Sequence, residues 1–260
     1  MTQQQSIRRA LSVTLALVPL ALGACSKSTE HSPPSEMAMS PASAKPSAAA
    51  AAPAVSADPK FMISKPVAYE NPGQARIGVL APGTGIPVGE HAPDVKAVDL
   101  EGRPVTLASL YEQGPILLAF YRGGWCPYCN MEIHSLTAAY PEFQKRHVTP
   151  VALSVDLPEA EAETKATYQI PFPVLSDTSA ASLLAFHVVN KVDEPTLKKL
   201  NSFGIDLEHY SGQSHHEIAI PSLFLIDKTG KVRWAHSDPD FKVRPSTAQI
   251  LAAIDQLGLS

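Results

Sequence analysis

The run Ile116-Leu117-Leu118-Ala119-Phe120-Tyr121 lies between Gly114-Pro115 and Gly123-Gly124. A half-exposed strand alternates polar and apolar residues. An unbroken apolar run of this length, closed off by turn residues, instead predicts a central strand buried on both faces. Such a strand needs partners along its edges and helices over its faces, so the chain is committed to a layered α/β domain.

The flanking patterns agree with that commitment. Val95–Leu100 and Pro104–Leu107 read as strands joined by a turn at Glu101-Gly102. Ile133, Leu136, Tyr140 and Phe143 recur at helical spacing and predict one helix from Cys126 to about Arg146. Val151–Val155 is a second buried strand, Glu159–Tyr168 a polar, helix-prone segment, and Val174-Leu175 with Ala180–His187 a short strand and helix. Leu223–Asp227 and Val232–Ala235, joined by Lys228-Thr229-Gly230, read as a hairpin, and Thr247–Leu257 as an amphipathic closing helix. Val188–Ala219, rich in His and polar residues, is an insertion between core elements: either a wall of a substrate groove or a covering loop.

The N-terminus has a different character. Arg8 and Arg9 precede an apolar stretch, Leu11 to Leu22, of signal-peptide length and too short to span a bilayer comfortably. Leu22-Gly23-Ala24-Cys25 resembles the bacterial lipoprotein box, which implies cleavage after residue 24 and acyl chains on Cys25. Residues 25–58 are mostly Ala, Pro and Ser without an aromatic residue. They cannot bury enough surface to order themselves and read as a flexible tether, with His31, Met37 and Met39 as ordinary parts of it. Residues 59–88, punctuated by Pro and Gly, are expected to form an extended arm, and 89–258 the folded domain. The 260 residues carry 21 Lys+Arg against 25 Asp+Glu, a formal net charge of −4 with no polybasic run, which excludes a nucleic-acid partner. Three cysteines are too few for a disulfide scaffold.

Two of those cysteines carry the chemistry. Trp125-Cys126-Pro127-Tyr128-Cys129 stands where the central strand ends and its helix begins. A thiol at a helix N-terminus faces unpaired N–H groups and the positive end of the helix dipole, so its thiolate is stabilised. Two intervening residues bring the second sulfur within bonding reach, and a mixed disulfide on one can be resolved by the other. Pro127 suits the first turn, where its missing N–H costs nothing, and Trp125 can shield one side of the pair. A zinc site would need two further ligands. Only His215-His216 offers itself, and no metal or other cofactor is expected.

Segments outside the cysteine pair then carry a family resemblance. Gly89-Glu90-His91-Ala92-Pro93-Asp94, Ser154-Val155-Asp156, Phe172-Pro173-Val174-Leu175-Ser176-Asp177 and Leu225-Ile226-Asp227-Lys228-Thr229-Gly230 are each similar to segments of the redoxin, peroxiredoxin-like (AhpC/TSA-type) branch of the thioredoxin superfamily. The resemblance runs from Gly89 to Leu257. It implies a thioredoxin-like α/β fold, a central mixed β-sheet flanked by helices, here with an N-terminal extension.

What the resemblance implies for activity is divided. Laid on the peroxiredoxin pattern, Cys129 takes the peroxidatic position, Cys126 that of a threonine and Arg122 that of a proline, while Pro221 replaces an arginine. Peroxide reduction needs a guanidinium to take developing charge, and Arg122 or Arg233 would have to supply it from elsewhere. Ile220-Pro221-Ser222 resembles instead the cis-proline loop of thioredoxins, which faces the cysteine pair and binds substrate. Thioredoxins keep a buried carboxylate on the strand before the motif. Leu118-Ala119-Phe120 has none, so Asp156 or Glu132 is the candidate proton acceptor. Asp238, Asp240 and Arg244 read as a structural ion-pair group, and His134 as a surface or core-edge residue.

The leading expectation is an extracytoplasmic thiol–disulfide oxidoreductase with Cys126 attacking from an exposed helix tip and Cys129 resolving. Its partners would be protein or small-molecule disulfides and thiols, with a thioredoxin-like reductant. The alternatives are a thiol-dependent peroxidase with Cys129 peroxidatic and Cys126 resolving, and a copper-handling thiol protein.

Overall fold

A computed structural model describes residues 60–68 and 71–259, so the leader, Cys25 and the tether lie outside the described residues. The strands are β1 (Lys96–Val98), β2 (Pro104–Thr106), β3 (Ile116–Phe120), β4 (Thr149–Ser154), β5 (Val174–Ser176), β6 (Val189–Lys191), β7 (Glu217–Ala219), β8 (Ser222–Ile226) and β9 (Val232–Ser237). The helices are α1 (Leu107–Tyr111), α2 (Pro127–Ala138), α3 (Tyr140–Lys145), α4 (Pro158–Tyr168), α5 (Ala181–Ala185), α6 (Glu194–Ser202), α7 (Leu207–Ser211) and α8 (Thr247–Leu257).

Seven strands form one mixed sheet in the order β2-β1-β5-β4-β3-β8-β9. As its unbroken apolar run requires, every residue of β3 is buried, and it runs parallel to β4 and antiparallel to β8. Each large side chain sealed this way contributes roughly 1.5–3 kcal/mol. Phe120, Phe186 and Phe224 pack as a tilted aromatic cluster over this part of the sheet, with centroids 5.0 to 6.0 Å apart.

The register decides what can meet at one edge. Phe120 pairs with Leu153 in the parallel direction, so β3 and β4 release their following loops on the same side. Ser222, the first residue of β8, lies opposite both Phe120 and Ser237, so β8 begins and β9 ends there as well. Carboxyl ends of parallel strands are where α/β sheets open a crevice for ligands. Three stretches therefore converge at this edge: residues 121–126, 155–157 and 238–246.

Three sequence expectations need correction. The single helix to Arg146 is two helices broken at Ala139, because Pro141 lacks the N–H that would continue α2 and its ring clashes with the preceding turn. β4 begins at Thr149 and takes in Pro150, although central strands exclude proline. The exclusion does not bite here, because β5 pairs with β4 only from Ala152 onward. The 188–219 insertion is no mere loop: β6 and β7 pair Val189 with Ala219 across its base, and α6 and α7 fill the span between. Asp193 and Asp206 cap those two helices through their carboxylates.

Candidate active site

The loop after β3 is shaped by a lack of room. Gly123 has φ 136°, and a Cβ there would fall 2.3 Å from Asp156 Oδ2 and 2.4 Å from Trp125 Nε1. Only glycine fits between these side chains. The chain then reaches Cys126, the N-cap of α2, with Pro127 in the first turn as its sequence position predicts. Asn130 fixes the loop from within the helix, its amide donating to the Gly124 carbonyl at 2.5 Å and to the Ser64 carbonyl at 2.7 Å. Ser64 in turn donates its amide to Gly124 and its hydroxyl to the Trp125 carbonyl. The arm is thereby stitched to the cysteine loop, a role that its irregular sequence does not announce.

Cys126 and Cys129 are both free thiols, with relative exposures of 1% and 0%. The expectation of an exposed helix tip is corrected here. The Arg122 guanidinium lies 4.9 Å from the Trp125 ring and 4.4 Å from the Phe241 ring, and its Nη1 is 3.7 Å from Cys126 Sγ. This stacked cation roofs the sulfur. Access remains from one side, where Cys126 lines a cavity of about 470 Å³ together with Arg122, Trp125, Tyr128 and Phe241.

Charge is divided unequally between the sulfurs. Burial alone would push the Cys126 thiol up. The hydrogen bond from Cys129 and the cations Arg122 and Arg244 outweigh it and hold Cys126 at about 6. Cys129 goes the other way: burial, its bond to Cys126 and the neighbouring thiolate push it well above an ordinary thiol. The Arg122 amide and Arg244 Nη2 each approach Cys129 Sγ at 3.4 Å. One thiolate is therefore expected to appear, with a midpoint near 6, when the ultraviolet absorbance of the reduced protein is followed against pH. Arg122→Gln should raise that midpoint, and two thiolates titrating together would contradict the assignment.

Arg244 is the residue whose place the sequence hid. It is 1% exposed and forms an ion pair with Glu132 on α2, whereas Asp238 pairs with Arg76 at 2.9 Å. The supposed ion-pair group of Asp238, Asp240 and Arg244 is thus two separate arrangements, and Arg244 belongs to the cysteines. Arg233 does not substitute for it. Arg233 binds Asp227 at 3.1 Å, beyond the far end of β8. The sheet register could have revealed this, since residues after β9 emerge at the cysteine edge.

The two candidate proton acceptors also separate. Glu132 is committed to Arg244. Asp156 stands at the end of β4 with 2% exposure and accepts the Gly124 amide at 3.3 Å. Burial pushes its carboxyl up to about 8, against that hydrogen bond, and the proximity of Cys129 adds to the rise. Beneath it lies a second buried carboxyl, Glu161 of α4, which accepts the Tyr121 hydroxyl and the Ser154 hydroxyl, the latter at 2.5 Å. Ser154 Oγ accepts the Asp156 amide at 2.9 Å, so the two acids share one polar bed. The polar pattern of 159–168 gives no sign that Glu161 faces inward.

Pro221 sits directly ahead of β8 at the same edge, is buried, and does not line the cavity. His134 is exposed, as expected for a surface position. His215 uses both ring nitrogens, one against the Thr178 carbonyl at 2.9 Å and the other accepting from the Glu217 amide, while His216 faces Glu208. Among the described residues no group of three or more His, Cys, Asp or Glu is arranged to hold a metal ion. Among them, too, no helix is long and apolar enough to cross a membrane.

Known proteins are similar to this chain in sequence and in fold. The thiol–disulfide oxidoreductase ResA of Geobacillus thermodenitrificans is 30% identical over 151 residues, spanning 58% of this chain and 69% of the relative. Peroxidoxin BcpB of Mycobacterium tuberculosis has a similar fold, with a TM-score of 0.51 at 22% identity over 65% of this chain and 95% of that one. Reduced Prx3 of Vibrio vulnificus, solved with hydrogen peroxide, gives 0.54 at 14% identity over 65% and 99%. The AhpC/TSA family model matches residues 88–235, from before β1 to within β9. Match and dithiol together make the chain a member of the AhpC/TSA family and a thiol-based oxidoreductase.

Proposed function

We propose that the protein reduces disulfides by dithiol exchange, with Cys126 as attacking thiolate, Cys129 as resolving thiol and Asp156 as proton acceptor. The unequal charging of the two sulfurs carries this reading: the thiolate is favoured on Cys126, the one that borders the cavity. Cys126 Sγ attacks one sulfur of the substrate disulfide, a mixed disulfide forms, and the other substrate sulfur leaves as a thiolate that takes up a proton. Cys129 then gives its proton to the Asp156 carboxylate and attacks Cys126 Sγ. The Cys126–Cys129 disulfide forms and the second substrate thiol is released. Two electrons have passed from the dithiol to the substrate, and a thioredoxin-like dithiol reductant restores the pair. Trp125 and Arg122 keep water from the sulfur and hold the cation beside it. The signal-peptide-like leader and the Cys25 motif support a location for this chemistry outside the cytoplasm, on a membrane-held tether of residues 25–58 facing the periplasm or the cell exterior.

One observation favours a second reading, a thiol-dependent peroxidase. Arg244 supplies a guanidinium 3.4 Å from Cys129 Sγ, the group that Pro221 replaces in the peroxiredoxin pattern. In that case Cys129 would become a sulfenic acid as peroxide is reduced to water, and Cys126 would condense with it. Insulin reduction and hydrogen peroxide consumption by the two serine variants separate the readings. Exchange requires Cys126→Ser to lose insulin reduction and Cys129→Ser to accumulate a mixed disulfide. Fast peroxide consumption that survives in Cys126→Ser but not in Cys129→Ser would replace exchange by the peroxidase.

A further inference from the structure

Part of the cavity beside the cysteine loop is lined by the insertion. Thr196, Lys199 and Leu200 of α6, with Phe203 and Ile205 just beyond it, line the same cavity as Cys126, and so does Met62 of the arm. Phe203 is 62% and Met62 45% exposed, two of the few large apolar side chains left in solvent among the described residues. Isolated exposed apolar residues are ordinary, but two that line the same cavity as a reactive thiol mark a binding surface. Lys199 and Arg122 bring positive charge to the lining, and none of the lining residues is acidic. The volume of about 470 Å³ falls within the range of side-chain and small-ligand pockets. Because Cys126 is 1% exposed beneath its arginine roof, a substrate disulfide has to enter the cavity to meet it, which favours a slender segment.

Resting on the exchange reading above, we propose that the cavity selects an extended polypeptide segment whose disulfide-bonded cysteine has a large apolar residue on one side and a carboxylate on the other. The apolar side chain enters between Leu200, Phe203 and Met62, the carboxylate meets Lys199, and the substrate disulfide is brought against Cys126 Sγ. The bonds made and broken are those of exchange. The insertion thus sets specificity without taking part in the chemistry.

The test uses the reduced protein in single turnover with blocked peptides whose cysteine is disulfide-bonded to 2-mercaptoethanol, the oxidised protein being counted by mass after acid quench. The Phe-Cys-Asp peptide should react about tenfold faster than Gly-Cys-Gly, roughly the worth of one partly buried ring. In Phe203→Ser that ratio should fall towards one. Lys199→Glu should reverse the preference for Phe-Cys-Asp over Phe-Cys-Lys. Bis(2-hydroxyethyl) disulfide serves as the reference probe. If it reacts while all peptides react alike, the groove is refuted and exchange stands. A preference that survives Phe203→Ser also refutes the placement. If neither probe nor peptides oxidise the dithiol, the exchange reading itself fails.

Discussion

Asp156→Asn is expected to slow resolution of the mixed disulfide by about a hundred- to ten-thousandfold, the usual worth of a positioned general base. Cys129 starts from a thiol held well above its ordinary range, so it cannot attack until a neighbour takes its proton. In the wild type the resolution rate should climb with pH and level off near 8, as Asp156 ionises. The asparagine variant should lose that inflection while still forming the mixed disulfide. Stability should move in the opposite direction. The folded Asp156 carboxyl sits at about 8 against an ordinary 3.8, so between those values the folded state holds a proton that the unfolded chain releases. Wild-type stability therefore falls as pH rises through that window, by about 1.4 kcal/mol per pH unit for one such group. Asparagine carries no proton to lose, and above pH 8 the variant should melt later than the wild type. Quenched-flow decay of the mixed disulfide gives the first result and thermal melts of the reduced proteins give the second. An unaltered resolution rate in Asp156→Asn would remove this residue from the mechanism.

Cys126 makes a contrary contribution that the same melts must respect. Its thiol is lowered from 9.0 to about 6, so the stability it confers is present in full above 9.0 and is lost as pH falls through 6. Only the comparison of variants at matched pH isolates Asp156.

Periodicity and turn chemistry are enough to place β3, the hairpin of β8 and β9, and α8, because each forms from residues close in the chain. Where a local signal spanned two elements, the stronger local rule prevailed: the apolar spacing from Ile133 to Phe143 continues across Pro141, but the backbone does not. The cysteine pair was legible for the same reason, since its spacing and its strand-to-helix position are local. Its surroundings were not. Arg244 meets Cys129 across more than a hundred residues, and its identity as a site residue depends on the register that ends β9, across β8, level with the end of β3. Glu161 looks like one acid among several on a polar helix until Tyr121 and Ser154 turn towards it. The sealing of Cys126 depends on Phe241 reaching back over Arg122, which no spacing in the sequence encodes.

The buried pair Glu132–Arg244 shows whether the surroundings of Cys129 serve stability or chemistry. Their side chains are 4% and 2% exposed. Burial raises the Glu132 carboxyl, and Arg244 pulls it back. Glu132→Ala should cost about 3–5 kcal/mol in urea unfolding, because it removes the carboxylate that balances a buried guanidinium. Replacing both partners with methionine removes the unbalanced charge, and a buried ion pair exchanged for apolar groups of similar size is commonly neutral or stabilising. The double variant Glu132→Met with Arg244→Met should therefore regain most of the stability lost by the single one. It should not regain the chemistry. Arg244 is one of the cations that hold Cys126 at about 6, so the thiolate midpoint must rise in the double variant although its melting behaviour is restored. A midpoint that stays near 6 would make the pair a packing feature and leave Arg122 to charge the dithiol alone. A midpoint that rises while the fold is intact would show that a costly buried charge is kept for the sulfur beside it.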